Sequence, residues 1–135
     1  MSFKDISTIA GSAMAAQSVR LNTIASNLAN ADTAAPSEAQ AYRARKPVFA
    51  AVMDGNDASA RVQVLDVVQS AEPLRKVYEP GNPLADADGM VVYSNVNSVS
   101  EMADMMSASR AFETNVEVLG RIKSMQASLL KLGEG

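Results

Sequence analysis

The sequence predicts a mainly α-helical protein with a small β-rich insert, in which long N- and C-terminal helices pack as a coiled-coil-like pair. Apolar residues recur at helical spacing at both ends of the chain, and capping signals precede both stretches. Valine-rich segments of alternating polarity lie between them. The predicted organisation is an N-terminal helix at residues 1–33, a loop and β-rich insert at 34–97, and a C-terminal helix at 98–135.

The C-terminal helix carries the clearest pattern. Ser98 and Glu101 have the spacing of a capping box, and Gly133 lies where a helix commonly ends. A helix over residues 98–132 would be about 50 Å long at 1.5 Å per residue, so we expect it to pack on other helices. Steps of three and four place its apolar residues on one stripe, namely Met102, Met105, Met106, Phe112, Val116, Leu119, Ile122, Met125, Leu129 and Leu132.

The N-terminal helix is predicted from a start signal and a heptad pattern. Ser2 and Asp5 form a second capping pair. The asparagine-containing residues 27–33 weaken the helical pattern, and Pro36 forbids its continuation. Two columns with a spacing of seven form a short seam that contains small residues, Met14, Leu21 and Leu28 in one and Ala10, Gln17 and Ile24 in the other.

The insert is predicted to consist of short strands and turns. Residues 61–68 alternate and are rich in valine, which predicts a strand, and shorter strands are expected at 74–78 and 90–93. Residues 34–40 predict a loop. An extended basic segment at 42–47 leads into a short apolar run at 48–53, and turn residues cluster at 54–57, 79–83 and 86–89.

Composition excludes several classes of chemistry. The chain has no cysteine and no histidine, which excludes disulfides, thiol catalysis, zinc sites and histidine acid–base catalysis. The formal net charge is −3, and no basic face suggests nucleic-acid binding. We therefore expect no enzymatic activity, no cofactor, no metal site and no nucleic-acid partner.

Membrane insertion and a cleaved leader are not expected either. No apolar run approaches the roughly 20 residues that span a bilayer. Residues 13–15 resemble a cleavage site, but the stretch before them contains Asp5, Ser7, Thr8 and Ser12 and is too polar for a signal peptide.

Two short motifs have a structural explanation that is simpler than a functional one, and a third stays open. Residues 86–89 suggest a calcium loop, but its first and twelfth positions would be Leu84 and Asn95, so a turn is the better interpretation. Ser128 and Lys131 have the spacing of penicillin-binding enzymes without the partner motifs, which favours a helix surface. The basic run at residues 43–46 fits either a solvated loop or a contact with an anionic partner.

Longer motifs carry a family resemblance over nearly the whole chain. Residues 18–33 (SVRLNTIASNLANADT) resemble the N-terminal signature of bacterial flagellar rod, hook and hook-associated proteins. The C-terminal half is similar to the proximal rod proteins of the FlgC type. The segments that carry this second likeness are YEPGNP at 78–83, ADADG at 85–89, NVN at 95–97, EMADM at 101–105 and SRAFETNV at 109–116.

The resemblance implies a structural subunit of the flagellar basal-body rod that assembles helically with copies of itself and with other rod subunits to transmit torque. It also implies export through the flagellar export apparatus without a cleaved leader, and a location in the rod that spans the periplasm. The residues expected at the assembly interface are Leu21, Ile24, Asn27, Leu28, Asn30, Asp32, Met102, Met105, Phe112, Val116, Leu119 and Ile122. Asn27, Asn30 and Asp32 are assigned to the end of the first helix and the contact that it makes.

Two other functions stay open at this point. One is a different flagellar axial subunit, against which the segments at 85–89 and 95–97 argue. The other is a soluble binding module built on a helical hairpin, which a stable monomer with protected termini would favour.

Overall fold

Two long helices flank a β-rich segment in the middle of the chain, as predicted. The computed structural model describes residues 1–53, 55 and 59–135, so Asp54, Asn56 and Asp57 of the first predicted turn lie outside the described residues. The elements in chain order are α1 (Phe3–Ala29), β1 (Ala34–Ala35), β2 (Arg45–Met53), β3 (Ala60–Gln69), β4 (Arg75–Tyr78), β5 (Met90–Tyr93) and α2 (Ser98–Glu134).

Helix α1 begins at the predicted capping box. The Asp5 amide donates to Ser2 Oγ across 3.2 Å, and the Ser2 amide donates to the Asp5 carboxylate across 2.6 Å. Two hydrogen bonds to its carboxylate lower the pKa of Asp5 below its ordinary value. The bond from the Ser2 backbone has the larger effect, and the bond from the Ser2 hydroxyl has the next largest. The prediction for this helix start is confirmed.

The predicted cap of α2 is wrong by one residue. Asn97, not Ser98, is the N-cap, and its side chain accepts a hydrogen bond from the Ser100 amide at 3.1 Å. Glu101 does not close a capping box, because its carboxylate is buried against α1 instead. Gly133 does not end the helix, which continues to Glu134.

The two helices lie antiparallel and in contact. Arg20 on α1 forms an ion pair with Asp104 near the start of α2, with 3.6 Å between Nη2 and the carboxylate. At the other end Phe3 borders the same surface cleft as Leu129 and Leu130. The first residues of α1 and the last turns of α2 therefore occupy the same end of the molecule.

The core is small and rich in alanine. The buried apolar residues among those described are Ala10, Ala16, Ile24, Ala31, Ala35, Ala44, Val91, Val92, Ala108 and Ile122. Alanine brings helices close but removes little apolar surface from water, so each contact adds little hydrophobic stabilisation. In the parts of the chain that the structure describes, neither helix has a stretch apolar enough to cross a bilayer.

Strands β2 and β3 form a separate two-stranded antiparallel ribbon that lies along α1. The strand predicted at 61–68 is confirmed as β3, and β2 lies within the extended segment and apolar run at 42–53. The pairing runs from Arg45 opposite Gln69 to Met53 opposite Ala60, with a shift of register between Val48 and Phe49. Ser12 on α1 accepts a hydrogen bond from the Val62 amide of β3 at 3.0 Å, which ties the ribbon to the helix.

A second sheet has the order β1-β5-β4, with both pairings antiparallel. It confirms the strands expected at 74–78 and 90–93 and corrects the loop expected at 34–40, because Ala34 and Ala35 pair with Tyr93 and Val92. The middle of the chain is thus two small sheets.

The predicted turn at residues 86–89 is confirmed. The Asp86 carboxylate accepts hydrogen bonds from the Asp88 and Met90 amides, each at 2.9 Å, so it stabilises its own turn. Gly89 has a φ of +77°, and a Cβ built there would lie 2.8 Å from Cε2 of Tyr78. This position therefore requires glycine both for its backbone conformation and for space.

Candidate assembly interface

Asn27 joins three elements of the fold. It lies in the last turn of α1, and its side chain is almost fully buried, with 1% of the residue exposed. Its Nδ2 donates to the Arg45 carbonyl at 2.8 Å and to Glu101 Oε1 at 3.1 Å. Its Oδ1 accepts from the Arg45 amide at 3.0 Å and from the Tyr42 hydroxyl at 2.9 Å. One amide thus holds α1, the start of β2 and the start of α2 together.

Tyr42 and Arg45 complete this junction. The Tyr42 hydroxyl lies 3.0 Å from Ser26 Oγ, and the Arg45 guanidinium lies over the Tyr42 ring, 5.4 Å from its centre. Arg43 donates to the carbonyls of Ser70 and Glu72. Within the basic run, Arg43 and Arg45 therefore have structural partners in the fold.

Asn30 and Asp32 lie at the end of α1, where they were predicted. Asn30 is the C-cap residue, and its side chain donates to the Ser26 carbonyl at 2.9 Å. Asp32 is exposed and pairs with Arg75 of β4 at 3.1 Å. The Arg75 guanidinium in turn lies 5.0 Å from the centre of the Tyr93 ring. The helix end is thereby connected to the three-stranded sheet.

The predicted apolar interface residues do not share one environment. Ile24 and Ile122 are buried, whereas Leu21, Leu28, Met105, Phe112 and Leu119 are half-buried. Met102 is 57% exposed and Val116 is 46% exposed. The predicted single stripe on α2 is therefore wrong, because part of it faces α1 and part of it is open to solvent.

Further apolar side chains of α2 are exposed toward its C-terminal end. The exposed fractions are 54% for Met125, 54% for Leu129, 70% for Leu130 and 78% for Leu132. Together with Met102 and Val116 they leave a long helix with apolar side chains in water along most of its length. Such exposure in a small protein marks a surface for contact with another molecule.

Two carboxylates at the three-stranded sheet have oriented partners. Glu38 pairs with Lys76 at 2.9 Å, and this hydrogen bond, with the charge of Lys76, lowers the pKa of Glu38. Glu79 accepts from the Tyr93 hydroxyl at 2.9 Å and from Asn82 Nδ2 at 2.9 Å. The hydrogen bond to Glu79 raises the pKa of Tyr93, as do desolvation and the negative charge of Glu79.

Sequence reasoning missed several residues that build this region. Glu101 was assigned to a cap, yet it is 5% exposed and contacts Asn27. Ser94 is 2% exposed and donates to the Ala31 carbonyl at 2.7 Å, which fixes the chain after α1 against the residue after β5. Contacts between residues so far apart in the chain leave no local sequence pattern. Only the strand and helix signals on either side of these residues indicate the region in which they lie.

Comparison with known proteins identifies the family. The model of the flagella basal body rod protein family matches residues 8–35, and that of the flagellar basal body rod FlgEFG protein C-terminal region matches residues 87–132. The chain is 50% identical over 134 residues to the flagellar basal-body rod protein FlgC of Salmonella typhimurium (strain LT2), covering 99% of this chain and 100% of the relative. The chain belongs to the FlgC family of flagellar basal-body rod proteins.

Other FlgC proteins are similar over most or all of the chain. That of Escherichia coli O6:H1 is 51% identical over 134 residues, with 99% of this chain and 100% of the relative covered. That of Agrobacterium fabrum is 37% identical over 127 residues, with 93% of this chain and 91% of the relative covered. As a FlgC-type proximal rod protein, the chain is a structural subunit of the flagellar basal-body rod.

The regions that the two family models match contain most of α1 and α2, two of the three elements that meet at Asn27. The N-terminal match spans most of α1, and the C-terminal match spans β5 and nearly all of α2. The β2–β3 ribbon lies between the two matched regions. The relatives are named flagellar basal-body rod proteins.

Proposed function

We propose that this FlgC-type subunit assembles helically with copies of itself and with other rod subunits, and that the resulting shaft transmits torque. The observation that carries the proposal is the exposure of apolar side chains along α2, a helix of 37 residues in a protein with a small alanine-rich core. Covering these side chains with neighbouring helices removes apolar surface from water and holds the subunits together.

The assembly interface that we propose uses both helices. Met102, Met105, Phe112, Val116 and Leu119 on α2, and Leu21 and Leu28 on α1, would interlock with neighbouring subunits in the coiled-coil manner that the heptad spacing predicts. The buried Ile24 and Ile122 would hold the two helices of one subunit together. The half-buried members are near enough to the surface to change partners with little rearrangement. Asn27, Asn30 and Asp32 would fix the angle at which the helix pair meets the sheets, through the contacts described above.

Torque transmission follows from this arrangement. A shaft under torsion shears its subunits against one another, and interlocked side chains on long helices resist that sliding because many contacts must break together. The family likeness further supports export of the subunit through the flagellar export apparatus without a cleaved leader, and a final location in the rod across the periplasm.

The test is incorporation into purified hook–basal bodies, measured by mass spectrometry in cells that lack their own copy of the gene. We expect the wild-type chain at a stoichiometry similar to that of other rod subunits. Peptides from its N-terminal residues should also be present, because the proposal includes export without a cleaved leader. The double variant Met102→Glu/Met106→Glu should be absent, because charge replaces exposed apolar contact. The matched control is Ser107→Glu, an exposed polar position on the same helix, which should be incorporated.

Absence of the wild-type chain from basal bodies, with abundant protein in the cytoplasm, would overturn the proposal. The working hypothesis would then be a soluble helical-hairpin binding module. Normal incorporation of the double variant would instead show that the exposed face of α2 does not form the interface.

A further inference from the structure

Helix α2 carries a largely exposed heptad seam to one side of the face that packs on α1. We call it the outer seam, and its members follow one another in alternating steps of three and four. They are Met106, Ser109, Glu113, Val116, Gly120, Lys123, Ala127 and Leu130. All of them are exposed except the half-buried Ser109, and the large apolar members Met106, Val116 and Leu130 are 60%, 46% and 70% exposed.

A different set of residues faces α1. One row of buried and half-buried positions on α2 is also spaced by three and four, and it comprises Glu101, Met105, Ala108, Phe112, Asn115, Leu119 and Ile122. The outer seam is displaced from them by one position, which turns it by about 100° around the helix axis. A second helix can therefore dock on the outer seam while α1 stays in place.

Gly120 has no explanation within the single chain. It lies inside α2, where glycine is unfavourable, and a Cβ built there would meet nothing within 4 Å. The space over Gly120 is open and its backbone is exposed. A small residue at this point of a seam allows another helix to approach closely.

The seam also carries one charge of each sign. Glu113 and Lys123 are exposed and lie on either side of Val116 and Gly120. Neither of them forms an ion pair with any residue in the described part of the chain. A seam that is otherwise apolar or small thus presents two unpaired charges of opposite sign.

We propose that two free copies of this chain pair through their outer seams in antiparallel orientation. When the axis of symmetry passes beside residue 118, each of the eight residues named above meets a complementary one of the other copy. Each large apolar residue meets an apolar or a small one, and each acid meets a base. The pairs, each of which occurs twice, are Met106 with Leu130, Ser109 with Ala127, Glu113 with Lys123, and Val116 with Gly120.

The charges select this orientation. A parallel pair in register would place Glu113 against Glu113 and Lys123 against Lys123, and like charges in contact disfavour association. The antiparallel pair converts the same residues into two ion pairs and fills the space over Gly120 with Val116. The heptad spacing keeps the seam in contact through a slight left-handed supercoil.

The dimer goes beyond the proposed rod function and describes the subunit before assembly. It covers part of the apolar surface of α2 that rod neighbours would otherwise contact, so the dimer and the rod compete for the same residues. Dissociation of the dimer becomes a step that precedes incorporation.

The first test is a charge exchange followed by sedimentation velocity over a range of protein concentrations. We expect the wild type to be in monomer–dimer equilibrium, and Glu113→Lys or Lys123→Glu alone to weaken the dimer roughly tenfold. The double variant Glu113→Lys/Lys123→Glu should restore the wild-type dissociation constant. The matched control is Thr114→Lys, which adds a lysine at an exposed position outside the outer seam and should leave dimerisation unchanged. A wild type that is monomeric at all concentrations, or a double variant no better than the single ones, would overturn the proposal.

The second test fixes the orientation by disulfide cross-linking. The chain has no cysteine of its own, so introduced thiols are the only ones present. A mixture of Ser109→Cys and Ala127→Cys should form the mixed disulfide under mild oxidation, whereas neither variant should link to itself efficiently. Preferential self-linking of Ser109→Cys would indicate parallel pairing and overturn the antiparallel arrangement.

Discussion

The side-chain amide of Asn27 donates to the carboxylate of Glu101 across 3.1 Å, joining residues that are 74 positions apart in the chain. The contact closes the end of the helix pair at which α1 stops and α2 begins. Because Asn27 also accepts from the Arg45 amide, the same side chain fixes where β2 leaves the helices. The relative position of helices and ribbon thus depends on one buried polar residue.

Replacing Asn27 with alanine should destabilise the protein markedly. The change leaves the Arg45 amide and the Glu101 carboxylate without their buried partner, and we expect a loss of about 2–4 kcal/mol in the free energy of unfolding. Chemical denaturation followed by circular dichroism measures it. Asn22→Ala is the control, because Asn22 is exposed on the same helix and should change stability by less than about 0.5 kcal/mol. Equal effects of the two changes would contradict the role of Asn27.

Gly89→Ala should destabilise the turn at residues 86–89, which precedes β5. Its positive φ disfavours any side chain, and the new Cβ would meet the Tyr78 ring and Pro80. We expect a loss of about 1–3 kcal/mol in the free energy of unfolding. Gly81→Ala serves as the control, since a Cβ there meets nothing within 4 Å and φ is not positive. Thermal denaturation should show a lower Tm for Gly89→Ala alone.

The helices and most strands follow from local patterns, and the junction between them does not. Ser2 and Asp5 are three residues apart and cap α1 without help from distant parts of the chain. Strand β1 has only two residues and exists because β5 lies beside it, so no local signal reveals it. Likewise, an acidic residue in the first turn of a helix predicts a capping role, and only the approach of Asn27 draws Glu101 into the core.

The pKa of Tyr93 should fall when Glu79 is replaced with glutamine. The hydrogen bond to the carboxylate and its negative charge both favour the neutral phenol, which raises the pKa above the ordinary 10.0. In the wild type this contact therefore contributes stability fully below about pH 10, and the contribution is lost as pH rises through the folded pKa. NMR titration of ring-labelled tyrosines resolves each ring, and Glu72→Gln is a control that should leave the pKa of Tyr93 unchanged. An unaltered pKa in Glu79→Gln would contradict the assignment.

Val116→Pro should abolish motility. Proline inside α2 removes a backbone hydrogen bond and clashes with the preceding turn, at a cost of about 3 kcal/mol or more. The break would fall in the middle of the helix that the proposed rod interface uses. Swimming zones and electron microscopy of basal bodies measure the outcome, with Val116→Ala as the control that keeps the helix. Swimming cells with normal basal bodies would show that a continuous α2 is not needed.

The interface residues were harder to predict than the fold because exposure depends on packing. The spacing of apolar residues on α2 predicts a helix, but it does not distinguish the side chains that meet α1 from those that meet another subunit. Met105 and Met106 are adjacent in sequence, yet the first is half-buried and the second is 60% exposed. Only the position of α1 decides which of them remains available for assembly.

The antiparallel helices place the two ends of the chain together, at the cleft between Phe3 and Leu130. A pulling force on the N-terminus of this protein would therefore separate α1 from α2 progressively, one helical turn after another. Each step loads only the contact next in line, which keeps the required force low. The buried hydrogen bond between Asn27 and Glu101 lies at the far end and opens last, so the helix pair separates easily under tension along the chain and resists force applied across the helices.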